Sequence, residues 1–282
     1  MRDTRKIDRI FYGKHTSDGA GVKLMRVFGF QEEGLLDPFL LLDFFGSDNP
    51  DDYLAGFPWH PHRGIETVTY MLDGKVQHGD NMGNKGVIGK GDIQWMTAGS
   101  GIIHEEMPQQ SDGKMRGFQL WVNLPASHKM MEPRYQEIVA HDIPEVNPDK
   151  NVKIKVIAGE YDAVKGPVVD IVADPIYFDI AIGKDSEFTI EVIPDYTVFV
   201  FVYEGSAKFD DSEKGKLKTG QGALLVNGSS VRIKTTEENV KFLLMSGKPI
   251  NEPIAWRGPI VMNTYEELET AFKEYREANF IK

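Results

Sequence analysis

The sequence of 282 residues contains no cysteine. This absence excludes disulfide bonds, cysteine-ligated zinc, iron–sulfur clusters and thiol nucleophiles, because each of them needs a cysteine sulfur. Long apolar runs are also missing, and without a stretch of about 18 apolar residues we expect no membrane-spanning helix. The start of the chain, Met1 to Lys14, mixes charged and apolar side chains and lacks the apolar segment of a secretory signal. We therefore expect a cytoplasmic protein, with the nucleus as an alternative in a eukaryote.

Positive charge is also scarce. The 32 Lys and Arg residues are outnumbered by 43 Asp and Glu residues, which gives a formal net charge of −11. A surplus of negative charge repels phosphate backbones, so we expect no direct binding of nucleic acid. The length suits one large domain or two small ones.

Short segments rich in β-branched and aromatic residues recur along the chain, each bounded by Gly, Pro, Asp or Asn. This pattern is typical of an all-β sandwich or barrel. The segments are residues 22–28, 65–72, 117–124, 152–157, 177–182, 188–193, 197–203, 223–226 and 240–245. Asp73-Gly74 predicts a tight hairpin turn. A C-terminal α-helix is predicted because Thr264 and Glu267 form a capping box ahead of apolar residues at helical spacing.

Two segments of the first half resemble two segments of the second half at the same offset. Residues 69–74 resemble residues 200–205, and residues 90–95 resemble residues 221–226. A repeated pattern of this kind predicts a duplicated β-barrel. We expect one domain over residues 1–140 and a second over residues 141–282 that includes the C-terminal helix.

The seven histidines all lie at or before His141, so in a duplicated barrel only the first copy can hold a histidine-ligated metal. His60 and His62 are two residues apart, as are His104 and Glu106. Alternate residues of a strand face the same side, so two neighbouring strands would direct three imidazoles and one carboxylate into one barrel mouth. Such donors suit Fe, Mn, Ni, Cu or Zn. The alternative, hydrogen-bonded histidines in a barrel core, stays open.

Other residues near these motifs have two interpretations each. Phe57, Trp95 and Met96 would shape an apolar mouth for a flat ring. Trp95 and Met96 are also typical of a plain barrel core. His78 lies in a predicted hairpin, where we expect an exposed turn histidine.

Several long motifs resemble the signature of the pirin family. They are residues 60–70 (HPHRGIETVTY), residues 91–106 (GDIQWMTAGSGIIHEE) and residues 117–125 (GFQLWVNLP), with residues 252–255 and 258–264 similar to the family's C-terminal block. The resemblance covers most of the chain. It implies a bicupin fold, in which two antiparallel β-barrels of jelly-roll type occur in one chain and the N-terminal barrel holds iron.

The resemblance also implies which residues form the site. His60, His62, His104 and Glu106 match the family's ligands to one divalent metal ion, with iron first and Mn, Ni, Cu or Zn as alternatives. Glu66 shares strand parity with His60 and His62. We therefore expect Glu66 to point towards the site as a neighbour of the ligands rather than as a ligand.

Some pirins resemble quercetinases, which cleave a flavonol ring with O₂ and release carbon monoxide. This implies a metal-dependent dioxygenase of quercetin 2,3-dioxygenase type acting on flavonol-like or catechol-like substrates, with Glu106 as the base on the substrate hydroxyl. Its partners would be a small aromatic substrate and O₂, and the sequence identifies no substrate-binding residue. A second hypothesis is a non-catalytic iron-binding regulator that binds a protein partner according to the oxidation state of the iron. A third is a folded bicupin whose site is a remnant without metal.

Overall fold

A computed structural model describes residues 3–110 and 114–282. Its regular structure is mostly β-strand, which confirms the all-β prediction. In the first half of the chain the strands are β1 (Lys6–Tyr12), β2 (Lys14–Asp18), β3 (Val22–Phe28), β4 (Phe39–Ser47), β5 (Phe57–His62), β6 (Ile65–Asp73), β7 (Lys75–Asp80), β8 (Lys85–Ile88), β9 (Ile93–Thr97), β10 (Ile102–Gln109), β11 (Met115–Asn123) and β12 (Arg134–Ile138).

The second half contains thirteen further strands and the helix. The strands are β13 (Glu145–Asp149), β14 (Val152–Ala158), β15 (Glu160–Tyr161), β16 (Val164–Lys165), β17 (Ile176–Ile182), β18 (Glu187–Glu191), β19 (Thr197–Lys208), β20 (Lys216–Lys218), β21 (Gln221–Val226), β22 (Ser230–Lys234), β23 (Val240–Gly247), β24 (Ala255–Arg257) and β25 (Ile260–Met262). The helix is α1 (Tyr265–Arg276), and short 3₁₀ turns lie at Phe30–Glu32, Pro50–Asp52 and Ala140–Asp142.

One compact unit, which we call the histidine barrel, comprises Lys14–Ala140 and Ile250–Lys282. Its seven-stranded sheet has the order β12-β9-β6-β11-β4-β3-β2, and its four-stranded sheet has the order β5-β10-β7-β8. Both sheets contribute to one apolar core, with Phe45 and Met71 from the larger sheet and Val76 and Ile88 from the smaller. The two sheets therefore pack face to face as a sandwich.

The other unit, which we call the apolar barrel, comprises the residues before Lys14 together with His141–Pro249. Its main sheet has the order β1-β21-β19-β23-β17-β14-β13, with β18, β20 and β22 attached beside it. Its core consists of Val, Ile, Leu, Phe and Ala side chains. A core of this composition has no donor for a metal ion.

The expected domains at residues 1–140 and 141–282 differ from these units at both ends of the chain. The residues before Lys14 belong to the apolar barrel, and Ile250–Lys282 belongs to the histidine barrel. β1 pairs antiparallel with β21, from Lys6 opposite Val226 to Tyr12 opposite Gln221, so the N-terminal strand completes the apolar barrel. At the other end, Leu268 and Ala271 of α1 are buried in one cluster with β25 and Phe280, within the histidine barrel. Backbone pairing at one end and apolar burial at the other therefore set these boundaries.

The predicted capping box forms at the start of α1. The Glu267 backbone N–H donates to Thr264 Oγ1 at 3.2 Å, and the Thr264 backbone N–H donates to Glu267 Oε2 at 2.9 Å. These two bonds satisfy N–H groups that the first turn of a helix leaves free. Within the described part of the chain, α1 included, no helix has the length and apolar character needed to cross a membrane.

Candidate metal centre

Two neighbouring antiparallel strands bring the three predicted histidine ligands together. His60 and His62 lie on β5, and His104 lies on β10 directly opposite His60. One ligating atom from each of the three histidines lies within 4.8 Å of the others. The alternation of side chains along each strand, read from the sequence, therefore gives the correct face for all three rings.

Backbone carbonyls fix the orientation of the first two rings. His60 Nδ1 lies 2.9 Å from the Pro58 carbonyl oxygen, and His62 Nδ1 lies 3.1 Å from the Pro259 carbonyl oxygen. A carbonyl only accepts hydrogen bonds, so each Nδ1 carries the proton and each neutral ring has its lone pair on Nε2. A carbonyl partner of this kind is the usual support of a metal-ligating histidine.

The remaining ring nitrogens fit a metal ion. The Nε2 atoms of His60 and His62 are 3.1 Å apart. Two nitrogens bound at right angles to one ion at about 2.1 Å would lie about 3 Å apart. His104 is 1% exposed, and neither of its ring nitrogens has a hydrogen-bond partner among the described residues. Buried polar atoms are rarely left without a partner, so the donor set fits a cation that accepts these lone pairs.

Burial keeps two of the rings neutral. The pKa of His62 lies well below its ordinary value because the ring is buried and His60 is close. The pKa of His104 is also lowered, first by burial and then by the neighbouring histidines. A metal ion binds the neutral imidazole, so these rings do not have to lose a proton near neutral pH before they bind one.

Glu106 lies beside the three histidines but is not a member of their cluster. Its carboxylate is buried, and Oε1 accepts a hydrogen bond from Thr69 Oγ1 at 2.8 Å. Glu106 lines the same cavity as His60 and His62. Its assignment as the fourth ligand stays a prediction.

Glu66 lies on the face of the larger sheet opposite to the site, so the expectation that it points towards the ligands is wrong. Glu66 and Thr69 are three residues apart on β6, and side chains three apart on a strand face opposite sides. Thr69 contacts Glu106 inside the barrel, whereas Glu66 accepts a hydrogen bond from Thr97 at 2.6 Å. Burial raises the pKa of Glu66 to about 7.

His78 is buried, in contrast to the exposed turn residue that we expect from the sequence. It is 3% exposed, its Nε2 lies 2.8 Å from Glu137 Oε1, and its ring stacks on Tyr135 with centroids 6.1 Å apart. The signal for this burial is present in the sequence, since Val76 and His78 alternate with polar residues along β7.

A cavity of about 570 Å³ opens beside His60, His62 and Glu106. Phe57 lines it as expected, whereas Trp95 and Met96 are 1% and 0% exposed and do not line it. Its aromatic wall is formed by Phe30, Phe45, Phe57, Trp121 and Trp256. The ring of Trp121 contacts the ring of His62 edge-on, with centroids 5.1 Å apart.

The C-terminal segment supplies part of this site, which sequence reasoning missed. Trp256 and Pro259 line the cavity, and the Val261 N–H donates to the Arg63 carbonyl at 3.1 Å. Gly64 has φ +77° and a Cβ there would overlap the Val261 carbonyl, so a glycine is required where this segment crosses.

The buried Arg63 fixes the same segment. It is 2% exposed and donates to the Ser100 carbonyl, the Phe280 carbonyl and Glu274 Oε2, each at 2.6 Å. Its guanidinium also lies 4.2 Å from the centroid of the Phe280 ring. Because Arg63 directly follows His62, this network links the C-terminal segment to the strand that carries His60 and His62.

Comparison with known proteins matches both halves of the chain. Residues 21–122 match the family profile described as Pirin, and residues 177–281 match the Pirin C-terminal cupin domain. A pirin-like protein of Caulobacter vibrioides is 46% identical over 277 residues, which cover 98% of this chain and 99% of that protein. A Pseudomonas aeruginosa protein with the provisional name quercetin 2,3-dioxygenase is 42% identical over 281 residues, 98% of each chain.

A solved structure shows the same fold. The crystal structure of a quercetin 2,3-dioxygenase from Acinetobacter baumannii superimposes with a TM-score of 0.91 at 35% identity, covering 98% of both chains. The bicupin fold that the sequence resemblance implies is thereby confirmed. Since the two profiles and the aligned relatives span most of its length, this chain belongs to the pirin family.

Proposed function

We propose that this protein is a metal-dependent dioxygenase of quercetin 2,3-dioxygenase type that acts on flavonol-like or catechol-like substrates. The observation that supports this most directly is the cluster of three histidine nitrogens beside an aromatic-walled cavity of about 570 Å³. The quercetinase names of the Pseudomonas and Acinetobacter relatives support the same reaction class.

His60, His62 and His104 would hold the metal ion, with Glu106 as the fourth ligand. Three imidazoles and one carboxylate are donors of intermediate hardness that suit Fe, Mn, Ni, Cu or Zn. The resemblance to pirins makes iron our first assignment among them. When bound, such an ion supplies Lewis-acid stabilisation of an anionic substrate oxygen and a template for O₂ and substrate. Neutral imidazoles leave net positive charge on a divalent ion with one carboxylate, which favours a deprotonated hydroxyl.

The protein's own residues would prepare the substrate. Glu106 would take the proton of the substrate hydroxyl, and Thr69, which donates to Glu106 Oε1, would hold the carboxylate in place. Trp121 and Phe57 would pack against the flat ring and exclude water from it. The chain would thus bind, orient and deprotonate the substrate beside the ion.

Elemental analysis of the purified protein, followed by O₂ uptake and flavonol loss, tests this proposal. His62→Ala should lose both bound metal and turnover. The matched control is His141→Ala, because the His141 side chain is 82% exposed and lies in the apolar barrel. Metal-loaded protein that consumes no member of a panel of flavonols and catechols would overturn the proposal.

A further inference from the structure

Four polar side chains form a continuous row on the inner face of the larger sheet of the histidine barrel. Thr69 on β6 lies directly opposite Gln119 on β11, Gln119 lies opposite Asp43 on β4, and Asp43 lies opposite Arg26 on β3. Gln119, Asp43 and Arg26 line the cavity. Adjacent strands are about 4.8 Å apart, so the row spans about 14 Å along the sheet.

The two ends of this row differ in chemistry. At one end Thr69 contacts both Glu106 and Gln119, with Oγ1 2.8 Å and 2.9 Å from their Oε1 atoms. At the other end Arg26 donates from Nε and Nη2 to the two Asp43 oxygens at 2.9 Å and 2.7 Å. The cavity therefore has polar groups near the histidines and, three strands away, the Arg26–Asp43 pair, and aromatic side chains form another part of its lining.

The Arg26–Asp43 pair retains hydrogen-bonding capacity. Arg26 Nη2 also donates to Asp18, but Nη1 makes no hydrogen bond with any described residue. The Asp43 carboxylate is buried, and each of its oxygens accepts one bond from Arg26, which leaves a further lone pair on each. A phenolic hydroxyl matches this pair, because it can donate to the carboxylate and accept from the guanidinium.

The net gain in stability from the Arg26–Asp43 pair is expected to be small. Taking an arginine and an aspartate out of water costs about as much as their attraction returns, and apolar residues of similar volume often stabilise a fold as well. The same sheet contains a second pair of this type, Arg116 with Asp73, outside the cavity. Arg116 and Arg26 have equally exposed side chains, 32% each. Asp73 is more exposed than Asp43, at 21% against 5%, so Arg116 is a reference matched in the exposure of the arginine for a pair that only links strands.

We propose that Arg26 and Asp43 bind the hydroxyl groups on the substrate ring remote from the metal, so that the cavity selects planar polyphenols with hydroxyls at both ends. This inference rests on the proposed function in one respect, namely which end of the substrate faces the histidines. Quercetin, with two hydroxyls on its pendant ring, belongs to the favoured class. Galangin is the same flavonol with no hydroxyl on the pendant ring, so it lacks the groups that Arg26 and Asp43 would bind when that ring is the remote one.

Anaerobic binding to the zinc-loaded protein separates this selection from turnover. Trp121 and Trp256 line the cavity, so quenching of tryptophan fluorescence reports the binding of either flavonol. Wild-type protein should prefer quercetin over galangin on the order of tenfold, as expected for hydrogen bonds to charged groups. Arg26→Gln and Asp43→Asn should both reduce this ratio to about one while galangin affinity stays within about twofold.

The control and the contrary outcomes are equally defined. Arg116→Gln should keep the wild-type ratio. A wild-type protein that binds both flavonols equally, or neither, would overturn the proposal, and so would variants that lose affinity for both ligands in parallel. If the selectivity is present but O₂ uptake is absent, the dioxygenase proposal fails and the assignment of Arg26 and Asp43 stands. If O₂ uptake is present without selectivity, the dioxygenase proposal stands and the assignment of Arg26 and Asp43 fails.

Discussion

Replacing Arg63 by methionine should both destabilise the histidine barrel and weaken metal binding. The change removes three hydrogen bonds of 2.6 Å from a side chain that is 2% exposed. It leaves the Ser100 and Phe280 carbonyls without this donor, whereas Glu274, which is 23% exposed, keeps its bond from Lys282. Each buried carbonyl left without a donor costs about 1–3 kcal/mol and the lost bond to Glu274 adds about 1 kcal/mol, so we expect a loss of about 3 kcal/mol or more. A stability of about 10 kcal/mol, the middle of the usual range for a domain, leaves the variant folded in the absence of denaturant.

The effect on the metal follows from the neighbouring histidine. Arg63 fixes the C-terminal segment that carries the Pro259 carbonyl, and this carbonyl sets the orientation of His62. Loss of such a supporting interaction typically lowers metal affinity about ten- to a hundredfold. We therefore expect a weaker metal site even under conditions where Arg63→Met is fully folded.

Urea unfolding followed by tryptophan fluorescence measures the first effect cleanly. All four tryptophans, Trp59, Trp95, Trp121 and Trp256, lie in the histidine barrel, so the signal reports on that unit. Competition with a chelator measures the second effect.

Arg116→Met serves as the control for Arg63→Met, since its ion pair with Asp73 is partly exposed and should contribute about 1 kcal/mol or less. If Arg63→Met is no less stable than Arg116→Met, the energetic reasoning is refuted. If its metal affinity equals that of wild type, the link from the C-terminal segment to His62 is refuted.

Two further predictions concern the carboxylates of β6 and β10. The pKa of Glu66 in the folded protein, about 7, lies above the ordinary 4.5. Between these pH values the folded state holds a proton that the unfolded state has released. The free energy of unfolding therefore falls as pH rises from 4.5 to 7, by about 3 kcal/mol in total. In urea unfolding, Glu66→Gln should lose less stability than wild type between pH 5 and pH 8. Identical losses in the two proteins would contradict the raised pKa of Glu66. Thr69→Val removes the hydrogen bond to Glu106 at nearly constant volume. It should lower kcat or metal affinity about tenfold, with recovery in Thr69→Ser, and failure of serine to restore the value would point to packing instead.

Local patterns were sufficient to predict most strands and the clustering of the three candidate histidine ligands. The predicted segment at residues 22–28 coincides with β3, and those at residues 65–72 and 152–157 each differ from β6 and β14 by one residue at the end. The predicted Asp73-Gly74 turn lies between β6 and β7, where Gly74 has φ +88°. The spacing of His60, His62 and His104 was informative because alternation along a strand requires no knowledge of the rest of the fold.

Glu66 was misplaced because strand parity was carried across a turn. Gly64, with φ +77°, lies in the turn between β5 and β6, and these two strands belong to different sheets. After this turn the interior positions of β6 are Ile65 and Thr69, so even and odd residues exchange roles. Alternation holds within β5 and within β6, but the left-handed residue between the two strands shifts it by one position. Counting from His62 to Glu66 across this turn therefore gives the wrong face for Glu66.

Pro259 and Trp256 could not be found from local patterns, because they reach the site from almost 200 positions further along the chain. The same holds for the row from Thr69 to Arg26. It exists only once four strands from separate parts of the chain align in register, and a sequence does not reveal which strands become neighbours.

The assignment of residues 250–282 to the histidine barrel has a consequence for biosynthesis. Protein synthesis proceeds from the N-terminus. The ribosome therefore makes His141–Pro249 of the apolar barrel after the first part of the histidine barrel and before its second part. A nascent chain therefore exposes His60, His62 and His104 long before the carbonyl of Pro259 exists to orient His62. The orientation of His62 seen in the structure therefore requires residues 250–282 to have been synthesised first.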